Sequence, residues 1–245
     1  MSLASLPLPE LAQPAGADLV EVADARIRRA LRWADAPAVT CSMQRGGLVL
    51  VHLLRRRLAD IPVLFVDTGY HFEETIELRD RLAAEWRLNL VVLSAGDTVA
   101  QHESARGLLY ETDAAACCAL RKVAPVERAL ANHDVWFTSL RNDQAASRAA
   151  VHPLEVHRLS TGSSIMKVNP IVEWTWGDVD RYADANGVPS HRLYRAGYTS
   201  IGCWPCTRRT FGSGDDRSGR WGGEDGTTEC GLHITLSTPT DPRVS

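Results

Sequence analysis

The side chains of this 245-residue sequence best suited to chemistry are its six cysteines, at positions 41, 117, 118, 203, 206 and 230. Cys203-Trp204-Pro205-Cys206 is a CxxC, a spacing that lets two thiolates grip one metal centre. Cys117-Cys118 is a second pair, far upstream. Four thiolates suit tetrahedral zinc or a four-iron cluster, and spacing alone does not choose between them. Adjacent cysteines fit awkwardly in an ordinary zinc knuckle, and the plainer alternative is a buried free pair beside a redox-active CxxC. Cys230 sits in Thr228-Glu229-Cys230-Gly231-Leu232-His233, beyond a glycine-rich tether. A thiol there is accessible, and a positive neighbourhood would favour its reactive thiolate. The alternative is an incidental tail thiol with His233 as a solvated neighbour. Cys41 ends an apolar run and reads as a small buried hydrophobe.

Basic residues cluster locally in a chain whose net charge is −3: Arg121-Lys122, Arg141, Arg148, Arg208-Arg209, Arg217 and Arg220. Arginine pairs bidentately with phosphate or sulfate, so convergence of these groups would build an oxyanion site. The acidic total excludes a general positive surface for nucleic acid. Arg55-Arg56-Arg57 falls on a helix and reads as a solvated face. No apolar run approaches the roughly 18 residues that span a membrane, and the N-terminus has no signal-peptide pattern. A cytoplasmic protein is expected. Structural disulfides are rare there, which turns the cysteines towards metal binding or catalysis.

With 44 % hydrophobic and 23 % charged residues, the composition is that of an ordinary globular chain able to bury a core. Asp18–Trp33 reads as a helix with Asp18 as N-cap. Strands are expected at Ala38–Cys41, Pro62–Val66, Asn89–Leu93 and Val135–Ser139. Helices are expected at Leu48–Leu58, Phe72–Trp86, Cys118–Ala131 and Trp176–Asn186. The alternation implies βαβ units and a mostly parallel sheet flanked by helices, an α/β fold. After about residue 150 the rhythm weakens into a loop-rich C-terminal segment. Three parts follow: a loose lead-in over 1–17, an α/β domain over 18–206, and a mobile segment over 207–245 that carries Cys230. Ligands bind at strand-end loops in such sheets. Two loops qualify, Ser42–Gly47 and Asp67-Thr68-Gly69-Tyr70-His71, and neither matches a Walker or dinucleotide fingerprint. Glu73 and Glu74 read as favourable first-turn charges.

Taken together, Cys117-Cys118-x3-Lys122, Cys203-x2-Cys206 and Glu229-Cys230-Gly231-Leu232-His233 closely resemble the assimilatory adenylyl-sulfate (APS) reductases. Further matches are Val66–Phe72, Lys167-Val168-Asn169-Pro170 and Arg217-Ser218-Gly219-Arg220-Trp221, so the similarity runs from Val39 to His233. The resemblance implies an adenine-nucleotide α-hydrolase-like sheet. It implies a [4Fe-4S] cluster on Cys117, Cys118, Cys203 and Cys206, and Cys230 as the nucleophile. That thiolate would attack the sulfur of adenosine 5′-phosphosulfate, leaving an S-sulfocysteine from which reduced thioredoxin releases sulfite. Lys122, Arg148, Arg217 and Arg220 resemble the cations that neutralise the sulfate, and His233 a tail residue beside it. Ser42, Asp67, Thr68, Gly69 and Arg141 fall in the matching substrate loops. The first loop departs from the pattern, with Gly46-Gly47 where relatives carry Glu-Asp, and Ser139 replaces the usual Gly. Other readings are a 3′-phosphoadenylyl-sulfate (PAPS) reductase, an ATP pyrophosphatase-type sulfurtransferase acting on tRNA, and a zinc-stabilised binding module. The sequence leaves a homo-oligomer open.

Overall fold

The computed structural model describes residue 16 and residues 18–211, 216–221 and 231–232. Asp18 caps the first helix, α1 (Leu19–Leu31), by accepting from the Val20 N–H at 2.7 Å, as expected for an Asx N-cap. The chain then alternates: β1 (Pro37–Thr40), α2 (Arg45–Arg55), β2 (Val63–Asp67), α3 (Glu73–Glu85) and β3 (Leu90–Ser94). Next come α4 (Val99–Arg106), the short helices α5 (Leu109–Thr112) and α6 (Ala114–Cys118), a π turn at Ala119–Val123, and α7 (Ala124–Leu130). β4 (Val135–Phe137), β5 (Leu154–Arg158), β6 (Ser164–Val168) and α8 (Trp176–Ala185) complete the regular elements.

The six strands form one sheet in the order β3-β2-β1-β4-β6-β5, parallel except for edge strand β5. Val39 of β1 lies opposite Val63 of β2 and Phe137 of β4, and Phe137 lies opposite Val168 of β6. Alternate residues therefore enter two cores. Val39, Phe65, Val135, Phe137 and Val168 face α1, α2 and α8, whereas Ala38, Leu64, Trp136 and Ile165 face Val126 and Leu130 of α7. α2 buries Leu48, Val49, Leu50, Val51, Leu53 and Leu54. At about 1.5–3 kcal/mol for each such side chain, it is the chief anchor of the first core.

The weak rhythm after residue 150 hides a β-hairpin. β5 and β6 pair antiparallel around Thr161-Gly162, with Gly162 at φ +87°, and β6 then joins β4 in parallel. The hairpin escapes pattern reading because β5 is an exposed edge, with Val156 43 % exposed, so apolar alternation has little to report. The expected helix at Cys118–Ala131 is also interrupted by the π turn, which the sequence does not announce. No helix among the described residues is long and apolar enough to cross a membrane.

Candidate active site

An open cavity of about 170 Å³ lies at the C-terminal ends of β1 and β4. Here the order of strands reverses direction, the switch point where open α/β sheets bind ligands. The loop after β1 supplies Ser42 and Gln44, the first turn of α2 supplies Gly46 and Gly47, and the loop after β4 supplies Thr138, Ser139, Arg141, Gln144 and Arg148. Lys122 enters from the π turn, Cys203 from the CxxC turn, and Arg217, Arg220 and Trp221 from the strip 216–221. Five of the sequence-selected cations thus meet in one cavity. Arg141 is buried and held on two sides, its Nε donating to Asp143 at 2.9 Å and its Nη2 to Asp216 at 3.2 Å. Gly46 makes room for it, since a Cβ there would stand 3.2 Å from Arg141 Nη1. Arg148 donates to Gln144 Oε1, which also accepts the Arg141 backbone N–H. Arg220 Nε is buried without a hydrogen-bond partner among the described residues, leaving a donor for an anion.

The second loop behaves differently. Asp67, Thr68 and Gly69, expected at the substrate, are absent from the cavity lining. Asp67 caps its own turn by accepting the Gly69 N–H at 2.9 Å and pairs with Arg79. Thr68 Oγ1 lies 3.2 Å from Cys203 Sγ, and its carbonyl accepts from Arg121 Nε at 2.6 Å. Arg121 is in turn paired with Asp97 at 3.1 Å and stacked over Tyr70. This loop therefore clamps the cysteines. Arg121 and Lys122, neighbours on the π turn, point apart: Arg121 is buried against the clamp while Lys122 reaches the cavity.

Cys117, Cys118 and Cys206 are buried and Cys203 is half-buried, and none is in a disulfide. Burial pushes the Cys117 thiol up to about 12, reinforced by the neighbouring thiolates of Cys118, Cys203 and Cys206 and opposed by Arg121. Burial likewise raises Cys206 to about 11, with Cys203 and Cys118 adding and Arg220 and Lys122 opposing. The two pairs, far apart in sequence, thus form one electrostatic group beside the cavity. Among the described residues no three His, Cys, Asp or Glu side chains are arranged to hold a single metal ion. Four thiols that influence one another electrostatically, three of them buried, with Arg121, Lys122 and Arg220 near them, are of the ligand type that a [4Fe-4S] cluster takes. Cys41 is buried at the boundary of the first core and the cavity, apart from the two pairs, and desolvation raises its thiol to about 12.

The strip 216–221 docks on the CxxC turn through the Thr207–Arg220 bridge and the Trp221 N–H, which donates to the Cys206 carbonyl at 3.0 Å. The Trp221 indole lies 5.2 Å from the Arg217 guanidinium and 4.7 Å from that of Arg220. Leu232 packs into the second core and lines the cavity. Cys230 and His233 lie outside the described residues. Gln44, Thr138, Tyr194 and Trp176 line the cavity without having been selected from sequence. Only Gln44 carried a signal, its place in the first strand-end loop.

A profile of the phosphoadenosine phosphosulfate reductase domain matches residues 36–209. The adenosine 5′-phosphosulfate reductase of Streptomyces coelicolor is 41 % identical over 232 residues, covering 92 % of this chain and 94 % of that protein. The adenosine 5′-phosphosulfate reductase 1 of Bacillus subtilis is 38 % identical over 210 residues, covering 83 % of this chain and 88 % of its own. Among solved structures, the PAPS reductase of Candida auris in a phosphate complex matches with a TM-score of 0.63 at 25 % identity, over 79 % of this chain and 97 % of that one. Candida glabrata FMN adenylyltransferase, with FMN and an ATP analogue, shares the fold alone, at TM-score 0.55 and 14 % identity over 81 % of this chain and 70 % of that one. The sheet is of the adenine-nucleotide α-hydrolase-like type. A cationic cavity at the switch point, two cysteine pairs gathered beside it, and relatives that match over nearly their whole length all agree: the chain belongs to the phosphoadenosine phosphosulfate reductase domain family.

Proposed function

We propose that this protein reduces adenosine 5′-phosphosulfate to sulfite and AMP, with Cys230 as nucleophile and a thioredoxin-type dithiol as reductant. It would serve sulfate assimilation towards cysteine in the cytoplasm, where the thiols stay reduced. The observation that carries the reading is the placement of Lys122 and Arg220, which line the cavity and also pull on the Cys206 thiol. In this reading residues 18–206 hold nucleotide and cluster, and residues 207–245 bring the nucleophile. Cys230 stands two residues ahead of Leu232, itself in the cavity lining.

The chemistry asks the site to bring a thiolate against an anionic sulfate. Lys122, Arg148, Arg217 and Arg220 offset that repulsion, and as fixed donors they stabilise the charge that builds on the departing phosphate. Arg141, already balanced by Asp143 and Asp216, orders the floor of the cavity while adding little net charge. Cys230 Sγ bonds to the sulfate sulfur as the sulfur–oxygen bond breaks, and AMP leaves with the electron pair. A thiolate of the reductant then attacks Cys230 Sγ, sulfite leaves with the pair of the sulfur–sulfur bond, and the second thiol resolves the mixed disulfide. His233 would stand near the sulfate. Cys117, Cys118, Cys203 and Cys206 would hold the [4Fe-4S] cluster, which when bound supplies a compact negative centre against which Lys122 is held. Relatives named adenosine 5′-phosphosulfate reductase favour this substrate, while the Candida auris neighbour supports PAPS as the second reading.

Anaerobically purified protein should release sulfite from APS with thioredoxin, and much more slowly from PAPS. Without reductant, APS should add one sulfo group of about 80 Da to Cys230, removable by thioredoxin. An adduct on a different cysteine would overturn the assignment.

A further inference from the structure

Gln44 holds the N-cap position of α2 yet makes no side-chain capping bond. Its amide is used elsewhere. Nε2 donates to Ser42 Oγ at 3.2 Å, while Oε1 accepts the Ile201 N–H at 3.0 Å and the Ser200 hydroxyl at 3.5 Å. The side chain therefore crosses from the first strand-end loop to the segment that leads into Cys203. Ser200 is the next link, because its Oγ accepts from Arg220 Nη1 at 3.3 Å.

A hydroxyl has one proton to give. With that proton directed at Gln44, the Ser200 lone pairs face Arg220 and fix where its guanidinium sits. The slot is tight. A Cβ on Gly202 would come within 2.1 Å of Arg220 Nη2, and the Trp221 ring closes the other side. The amide cannot be turned round, since a flipped Gln44 would set its NH2 against the Ile201 N–H. We infer that Gln44 is a positioning residue for the reaction: through Ser200 it aims Arg220 at the cavity and ties that aim to the nucleotide loop. This rests on the proposed reductase reading, in which Arg220 touches the anion and Gln44, at the cavity wall, acts through it.

The test is a set of double-mutant cycles on sulfite release from APS, with iron content and melting temperature measured alongside. Gln44→Leu keeps the bulk but leaves the Ile201 N–H and Ser200 unpaired, a loss expected to lower kcat/KM about tenfold. Ser200→Ala should give a loss of similar size, and the double variant should be little worse than either. In an Arg220→Ala background Gln44→Leu should change kcat/KM by less than about twofold. Iron content should match the wild type throughout. Equal losses from Gln44→Leu with and without Arg220 would overturn the relay, as would an effect seen only in melting temperature. If Gln44→Leu does not fold, the Ser200→Ala and Arg220→Ala pair carries the same test, and additive losses there overturn the relay. Wild-type protein that releases no sulfite would instead overturn the proposed reaction.

Discussion

The loops after β1 and β2 are of the same kind, short turns at the C-terminal ends of neighbouring parallel strands, yet they do different work. The first, with the opening turn of α2, presents Ser42, Gln44, Gly46 and Gly47 to the cavity. The second turns inward: Asp67 caps Gly69, Thr68 meets Cys203, and Arg121 is bound to the Thr68 carbonyl. A strand-end position thus makes a loop available for a ligand without deciding which one. The decision comes from the next layer, where Gly46 yields space to Arg141 and Gly69 sits against Val99 and Arg121. One loop lines the cavity and the other packs against Cys203.

The largest effects should come from removing the chemistry on each side. Cys230→Ser should lower sulfite release by roughly a thousandfold or more while iron stays bound. Cys203→Ser should instead lose iron and its visible absorption, with activity following. If Cys230→Ser lost iron too, the division between anion side and thiol side would fail.

Glycine substitutions sharpen the same contrast at smaller scale. Gly69 has φ +76°, and a Cβ there would meet Val99 Cγ2 at 2.5 Å. Gly69→Ala should therefore cost about 1–3 kcal/mol of stability, seen as a lower melting temperature. Gly46→Ala presses on Arg141 Nη1 from 3.2 Å. It should raise KM about threefold to tenfold, with melting almost unchanged. Interchanged outcomes, with KM moving in Gly69→Ala and stability in Gly46→Ala, would reverse the roles given to the loops. Side chains offer a milder pair. Thr68→Val should reduce iron retention with KM within about twofold, whereas Ser42→Ala should raise KM by a similar factor with iron intact.

The contrast also marks where sequence reading stopped. The parallel sheet was legible because β2 and β4 carry the unbroken apolar runs 63–66 and 135–137 between helical stretches and Asp18 is a plain N-cap. Each cysteine pair was legible from its spacing, and the family resemblance joined the two into one set, which the folded chain brings within electrostatic reach of each other. The hairpin β5–β6 was not, since an edge strand with Val156 in water lacks a buried stripe. Nor was the inward turn of Asp67-Thr68-Gly69. Its partners, Arg79, Arg121 and Cys203, come from α3, the π turn and the CxxC, and only the folded chain brings them together. Gln44 escaped notice for a related reason: a glutamine has no chemistry of its own, and its value lies in what stands at both ends of its amide.

The smallest expected effect concerns the wall where the second loop's helix meets the cavity. Thr75, in the first turn of α3, lines the cavity and pairs with His191 Nε2 at 3.0 Å, while His191 Nδ1 accepts the Leu193 N–H. Nδ1 is therefore unprotonated and the ring neutral. Burial lowers its pKa from 6.5 to about 4, with Arg192 adding to the shift and Glu74 opposing it. Above about pH 6.5 the ring is neutral whether the chain is folded or not, and it costs nothing. As pH falls towards 4, the unfolded chain takes up a proton that the folded site refuses, so stability drops through that window and the loss is complete below it. Wild-type melting temperature should thus fall by several degrees more than that of His191→Gln between about pH 7 and pH 5. Parallel profiles for the two proteins would mean that His191 accepts its proton in the folded state. The Leu193 N–H would then lose its acceptor on acidification, while Nε2–H would still donate to Thr75.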